Sequence, residues 1–377
     1  MRLRVAVLFG GKSVENEISV LTGVFVMNVM DKEKYQIIPL YVHTDGGMYS
    51  ASEMTDLRVF KKKDVAAFKR VFLDGGILYM WNSTRKKVKA VGKVDVILNC
   101  CHGGLAEGGG VAALAEWNGI ACASPDLTAS GVFMDKCTTK LFMRALGVPT
   151  VDYIRVNERD YQKRGAFLLK SIEGRLKYPV VVKPAHLGSS IGIAVARNEQ
   201  EAKAAIESVF ALDDRAIVEK YLADKLDVNC AACMIKGEIC VSEPEIAFGS
   251  GVYSFEEKYV KRTSDGMAGK MTENEQKDGG RYAIKGELRD KIRSYTKTIY
   301  KRMNLLGVVR MDFLVHNAQA YLCEVNTVPG SLAYYLFCER VSDARTFFGD
   351  LVDEAIVQKS EEKKLPMTGI LDGVSRK

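Results

Sequence analysis

The stretch Arg310-Met-Asp312-Phe-Leu-Val-His316-Asn317-Ala318-Gln319-Ala-Tyr-Leu-Cys323-Glu324-Val-Asn326-Thr-Val-Pro-Gly330 decides how the chain is read. Two runs of alternating apolar and polar residues, Val308 to Val315 and Ala320 to Val325, flank His316-Asn317-Ala318-Gln319. The pattern predicts an antiparallel hairpin with its turn at those four residues. Glu324 and Asn326, two apart on a strand, project from one face. If the partner strand turns Asp312 toward that face, three hard oxygen ligands converge. Such a set suits Mg²⁺, which takes one or two carboxylates together with nucleotide phosphates. Arg310, two residues before Asp312, lies on the same side, where it can hold an anion beside the metal. A surface hairpin with scattered charges is the competing reading of this segment taken alone.

Composition narrows the class. A chain of 377 residues has room for two or three domains. Its 47% hydrophobic and 27% charged content is that of an ordinary globular protein. No apolar run approaches the roughly 18 residues of a membrane span. The opening Met1-Arg-Leu-Arg-Val-Ala-Val-Leu-Phe-Gly is not expected to be a signal peptide, because it runs into Gly10-Gly11-Lys12 with no small-residue cleavage site. Nine scattered cysteines are expected to be reduced thiols of a cytoplasmic protein. Cys230-Ala-Ala-Cys233 has redox spacing but sits inside a strand-like run. A net charge of +7 is modest, with no basic stripe interleaved with aromatics. Nucleic acid and membrane are therefore excluded as expected partners, and the excess charge suits anionic small molecules.

Strand and helix alternate in the first third: Arg2 to Phe9 as strand, Ser13 to Val29 as helix, Gln36 to Val42 as strand, Val94 to Asn99 as a buried strand, Gly109 to Trp117 as a short helix. This predicts a parallel α/β layer, in which ligands bind beyond the carboxyl ends of strands. The Gly10-Gly11 turn and the glycines from Gly103 to Gly110 lie at such ends. Thr44 to Arg70 and the Asp74-Gly-Gly-Ile hairpin read as an insertion. A second unit opens at Ser124-Pro125, with Ser124 expected as helix cap. It continues through a helix from Lys136 to Leu146, a strand ending at Lys183, a helix capped by Asn198 with Glu201, and a strand from Ala216 to Leu222. A third unit holds antiparallel strands near Val228 to Met234 and Glu238 to Glu243. A polar, glycine-rich stretch from Phe248 to Gly280 follows, then a helix from Glu287 to Leu306 closed by Gly307.

Lys183-Pro-Ala-His-Leu-Gly188-Ser189-Ser190-Ile-Gly192 is a lysine at a strand end followed by a small, flexible loop. Its backbone N–H groups can approach phosphate oxygens while the lysine supplies a point charge. It is no Walker loop, since no Gly-Lys-Ser/Thr precedes a helix. A plain hairpin turn has the same appearance. Lys136 has no acidic partner at helical spacing. Glu15 and Glu17 stand in a first helical turn, where the helix dipole already favours acids. His102, at a buried strand end before glycines, is the histidine with a motif around it.

In this order the segments resemble the D-alanine–D-alanine ligase family of the ATP-grasp superfamily, from about Val5 to Leu336. The matching pieces are Gly10-Gly11-Lys-Ser13-Val-Glu15-Asn-Glu17-Ile-Ser19, His102-Gly103 with Glu107-Gly108, Met134-Asp-Lys136, Val181-Val-Lys183-Pro, Gly188-Ser189-Ser190-Ile-Gly192, Glu257-Lys258-Tyr259, and Arg310-Met-Asp312 with Glu324-Val-Asn326-Thr-Val-Pro-Gly330. The resemblance implies an α/β fold: an N-terminal parallel α/β domain over 1–123, then two α+β subdomains over 124–222 and 223–377 that clamp ATP. It implies a cytoplasmic enzyme, and a homodimer is the expectation here. Lys136, Lys183 and Ser190 would hold ATP phosphates, with Lys258 neutralising the transferring phosphoryl group. Glu219, Lys220, Tyr221 and Leu222 would meet the adenine, and Asp227 the ribose. Asp312, Glu324 and Asn326 would bind two Mg²⁺ (or Mn²⁺). Glu15 would pair with the first substrate's ammonium, with Ser189 and Tyr259 hydrogen-bonded to it so that Phe248 to Gly280 closes as a lid. Arg310 and the Gly330 N–H would stabilise the oxyanion, and His102 and Ser331 would line the substrate site. The activity implied is ATP-dependent joining of two D-alanines through an acyl phosphate, for peptidoglycan precursor synthesis.

Three departures bear on the acceptor. Asn16 replaces the family's basic residue beside the glutamate, Leu105-Ala-Glu107-Gly-Gly-Gly lacks the usual aspartate, and Ser331-Leu-Ala-Tyr-Tyr-Leu336 differs after Gly330. A sister ligase using D-serine, D-lactate or another small acceptor is thus the rival reading. A nucleotide-binding module without catalysis is the rival of a different class.

Overall fold

The protein is described by a computed structural model covering residues 2–61, 64–82, 84–247, 284–363 and 369. β1 (Leu3–Gly10) is buried along almost its whole length, as a strand covered on both faces must be. It is followed by α1 (Asn16–Val29), β2 (Tyr35–Val42), β3 (Met48–Ser50), β4 (Lys69–Asp74), β5 (Ile77–Asn82), β6 (Lys87–Lys93), β7 (Val96–Asn99), α2 (Val111–Trp117) and β8 (Ala121–Cys122). These strands form one sheet in the order β6-β5-β4-β3-β2-β1-β7-β8. β2, β1, β7 and β8 are parallel. The segment read as an insertion instead extends the same sheet with antiparallel strands. α1 starts three residues later than the sequence pattern indicates. The Ser13 hydroxyl donates to the His102 carbonyl, 2.6 Å, and accepts from the Glu15 N–H, 3.0 Å, so Ser13 to Glu15 forms a turn.

The next segment carries α3 (Leu127–Met134), α4 (Lys136–Ala145), β9 (Tyr153–Asn157), α5 (Glu158–Leu176), β10 (Val180–Pro184), β11 (Ala194–Ala196), α6 (Glu199–Phe210) and β12 (Arg215–Lys220). Its antiparallel sheet runs β11-β10-β12-β9. α3 is capped by Asp126, which accepts from the Ala129 N–H at 2.7 Å, and not by Ser124, whose hydroxyl reaches Pro125 O. Asp135 caps α4 in the same manner. Asn198 caps α6, and Glu201 reaches back to the Arg197 N–H at 2.8 Å.

β13 (Leu226–Ile235), β14 (Glu238–Val241), β15 (Glu245–Ile246), α7 (Gly286–Arg302), β16 (Val308–His316), β17 (Gln319–Asn326) and α8 (Ala344–Ser360) follow among the described residues. The third sheet has the order β14-β13-β16-β17, with β15 paired to β13. α7 ends at Arg302 rather than Leu306, because Asn304 takes the left-handed conformation that stops it. Gly307 lies at the entry to β16, against the backbone of Ala123. The hairpin turn puts both Asn317 and Ala318 at positive φ, 49° and 57°, the type I′ geometry that suits twisted strands.

α8 returns to the first sheet. Phe348, Leu351, Val352 and Ala355 pack in one apolar cluster with Val5, Val26 and Ala121 on one side and Ala231 and Cys233 on the other. Ion pairs Lys34–Asp353, 2.7 Å, and Arg345–Asp31, 2.5 Å, fasten its surface. All nine cysteines are free, and Cys230 and Cys233 are buried in mid-strand, which removes the redox reading of their spacing. Among the described residues no helix is long and apolar enough to cross a membrane.

Candidate active site

The ends of the three sheets meet. From the first comes the Gly10-Gly11 turn, where the Asn16 amide donates to Gly11 O, 2.7 Å, and accepts from the Tyr41 hydroxyl, 3.3 Å. Asn16 thus braces the turn that delivers Glu15. From the second comes the loop after β10, with Ser189 and Ser190 both in the left-handed region at φ 53° and 61°. Backbone strain of this kind persists only where the surroundings over-determine it. Here the Ser189 hydroxyl donates a very short hydrogen bond to Glu15 Oε1, joining the two sheets. Two glycines make room for that carboxylate. A Cβ on Gly103 would lie 2.5 Å from Glu15 Oε2, and one on Gly188 would lie 3.0 Å from it. Gly103 also has φ +70°, which no side chain adopts cheaply. Gly103→Ala is therefore expected to leave the fold intact but shift Glu15, lowering kcat by about 10²-fold. Circular dichroism and steady-state rates check this, and wild-type kcat would refute it.

The third sheet supplies the hairpin face. A bulge between Asp312 and Phe313 makes Cys323 the extra residue, leaving Asp312 opposite Glu324 and Arg310 opposite Asn326. Arg310 donates to both oxygens of Asp312, at 2.7 and 2.8 Å, and to the Tyr335 hydroxyl at 3.3 Å. The Asn326 amide donates to Asp312 Oδ2 at 3.0 Å. Lys136 meets this face from α4, its Nζ 3.5 Å from Glu324 Oε2 and 2.6 Å from Leu187 O. Its acidic partner is far away in sequence, beyond the reach of helical spacing.

Lys183 and Glu219 form a buried charged set with a residue the sequence pattern did not flag. Glu219 is 2% exposed; its Oε2 is 2.6 Å from Lys183 Nζ and its Oε1 is 2.8 Å from Lys140 Nζ. Burial pushes the Glu219 carboxyl up, but the two ammonium groups outweigh it and bring it down to about 2. Lys183 also donates to Cys323 Sγ at 3.5 Å. Lys140 reads in the sequence as an ordinary helix lysine. The other residues expected at the adenine and ribose have different surroundings. The N–H groups of Lys220 and Tyr221 bond to Asp152 O and Pro179 O, Leu222 is half-buried, and Asp227 pairs with Lys225 at 2.5 Å.

His102 is buried, and both its ring nitrogens have protein partners. A carbonyl only accepts, so Nδ1–H donates to Val328 O at 2.7 Å, and Nε2 accepts from the Thr22 hydroxyl at 2.8 Å. Thr22 in turn accepts from the Ser331 N–H at 3.1 Å. Burial lowers the imidazole to about 4, which keeps it neutral near pH 7. The chain of bonds holds the turn after Pro329, where Ser331, Leu332 and Ala333 are all left-handed with φ of 47–51°. Glu107 grips the same turn, accepting from the N–H groups of Gly103, 2.7 Å, and Val328, 3.2 Å. Burial, then the charge of Glu15, pushes Glu107 up to about 7. Lys258, Tyr259 and the expected lid from Phe248 to Gly280 lie outside the described residues.

Two carboxylates and an amide oxygen on one strand-pair face are hard donors of the type Mg²⁺ takes, so Asp312, Glu324 and Asn326 fit such an ion chemically.

Comparison with known proteins places the chain in a family. Residues 4–125 match the family profile described as D-ala D-ala ligase N-terminus, and residues 142–357 match the D-ala D-ala ligase C-terminus. A D-alanine–D-alanine ligase from Thermosipho africanus is 33% identical, over 89% of this chain and 88% of its own. The crystal structure of the Helicobacter pylori D-alanine–D-alanine ligase superposes with a TM-score of 0.75 at 26% identity, covering 94% of this chain and 98% of that one. The VanG D-Ala:D-Ser ligase of Enterococcus faecalis shares the fold, with a TM-score of 0.72 at 24% identity over 95% of this chain and all of that one. Matched in both halves and along most of its length, the chain belongs to the D-alanine–D-alanine ligase family and has its ATP-grasp fold.

Proposed function

We propose that the protein is an ATP-dependent ligase that joins two D-alanines into D-alanyl-D-alanine, releasing ADP and phosphate, in the cytoplasm and for peptidoglycan precursors. Its units divide at about 123 and 222, and the working form is a homodimer. The observation that carries the reading is the convergence of Glu15–Ser189, Lys136–Glu324 and the Arg310–Asp312–Asn326 set from three sheets.

Glu15 binds the ammonium of the first D-alanine and so presents its carboxylate to the γ-phosphate. Lys136, Lys183 and the Ser189-Ser190 loop hold the phosphates, replacing water with fixed donors. Attack by the carboxylate oxygen on phosphorus, with loss of ADP, gives an acyl phosphate. The neutral amine of the second D-alanine attacks its carbonyl carbon, and Arg310, held in place by Asp312 and Tyr335, stabilises the oxyanion before phosphate leaves. Asp312, Glu324 and Asn326 would hold Mg²⁺, which supplies charge neutralisation on the nucleotide phosphates. His102 and Thr22 act by holding the Gly330-Ser331 turn against the substrates.

Phosphate release from ATP and Mg²⁺ with each candidate acceptor tests the reading. D-Alanine is expected to be the productive acceptor. D-Alanine amide should be poor, because donors left unpaired in the carboxylate pocket cost about 1–3 kcal/mol each. The amine must be neutral to attack, so dipeptide formation should rise from about pH 7 to 9, given an α-amino pKa near 8. Faster turnover with D-lactate, or none with D-alanine, would overturn the assignment.

A further inference from the structure

Beside the residues already assigned stands a junction that none of those roles uses. His186 lies three residues after Lys183 and three before Ser189, at the root of the loop. The Asp213 carboxylate, in the turn before β12, clasps it twice. Oδ2 accepts from the His186 backbone N–H at 2.8 Å, and Oδ1 is 2.8 Å from the ring Nδ1. The ring Nε2 faces Asp135 Oδ2 at 3.7 Å.

Asp135 is the cap of α4, bonded to the N–H groups of Cys137 and Thr138 and paired with Arg215. The next residue, Lys136, grips the chain on either side of His186. Its N–H donates to Ala185 O at 3.0 Å and its Nζ to Leu187 O at 2.6 Å. Ala185 N–H bonds to Arg215 O at 3.0 Å. Three separate pieces of chain are therefore pinned together at one imidazole. Asp135, Asp213 and the more exposed Asp214 surround it, with the guanidinium of Arg215 paired to Asp135. A positive ring balances that set better than a neutral one, and only a doubly protonated ring donates toward both Asp213 and Asp135.

We propose that His186 is a positioning residue of the phosphoryl-transfer site: as an imidazolium it fixes the root of the Leu187–Ile191 loop to the start of α4, setting Ser189, Ser190 and Lys136 for the nucleotide. The inference rests on the nucleotide-site reading above. Asp135, then Asp213, outweigh burial and hold the ring at about 9 against an ordinary 6.5. The clasp is therefore complete at neutral pH and is released as pH rises through about 9.

His186→Gln tests it. At pH 7.5 the variant should raise the KM for ATP about tenfold with kcat within about twofold, the pattern of lost binding rather than lost chemistry. Its KM should be flat from pH 7 to 10, whereas the wild-type KM rises across pH 9 toward the variant's value. His186→Arg, with a permanent charge, should keep a lower KM at pH 10 than the wild type. The chain has four histidines, so the His186 ring resonance is assignable by difference and should titrate near 9. A wild-type KM in the glutamine variant, or the same rise above pH 9 in both proteins, would overturn the proposal. Should His186→Gln fail to fold, Asp213→Asn takes its place with the same two outcomes. A wild-type enzyme that does not saturate with ATP would instead overturn the site reading itself.

Discussion

Glu219→Gln is expected to cost the protein about 3–5 kcal/mol of unfolding free energy, the size typical of breaking a buried charged set from one side. Lys140 and Lys183 would then face each other across a neutral amide, both deep in the structure and with one acceptor oxygen between them. Against a usual stability of about 5–15 kcal/mol the loss is large. Urea unfolding at pH 7 measures it, and a change below 1 kcal/mol would show that the lysines find other partners. The pH dependence has a definite sign. The folded carboxyl lies at about 2 and its ordinary value is 4.5, so the group stabilises fully above 4.5 and the contribution is lost as pH falls through about 2. Wild type should weaken across that acid window. The glutamine variant should lack this component of the slope.

Glu324→Gln is expected to lower kcat by about a thousandfold or more with little change in melting. Its carboxylate is half-buried on the hairpin face, opposite Asp312 and 3.5 Å from Lys136. The substitution keeps the shape and removes a full charge where charge on phosphate must be balanced, an effect worth several kcal/mol. Half-saturation by Mg²⁺ should also move to higher concentration. Wild-type turnover at ordinary Mg²⁺ in the folded variant would remove Glu324 from the metal set.

The hairpin carrying that residue was legible because strand periodicity and the turn are local signals, and its register follows from the turn. The Glu15, Lys183 and Ser189 segments were legible as motifs, although nothing local says that Glu15 and Ser189 touch. Lys140 was not legible. Its partner Glu219 lies on another element, and a helix lysine of this type usually faces water. Asp126 caps α3 although Ser124-Pro125 is the stronger local pattern, and only the path of the chain decides between them. The 44–90 region gave weak alternation, since β6 is exposed along nearly its whole length and needs no apolar face. Asn304 shows the same limit at a helix end: the glycine three residues on was the more conspicuous stop.

α8 imposes an order on biosynthesis. A chain emerging from the ribosome exposes its N-terminal part first, and domains ordinarily fold as they emerge. Here Val5, Val26 and Ala121 share their apolar cluster with Phe348, Leu351 and Val352, which are made more than two hundred residues later. Until those residues arrive, the first sheet carries an uncovered greasy face. The last helix among the described residues is thus the one that completes the first sheet to be made.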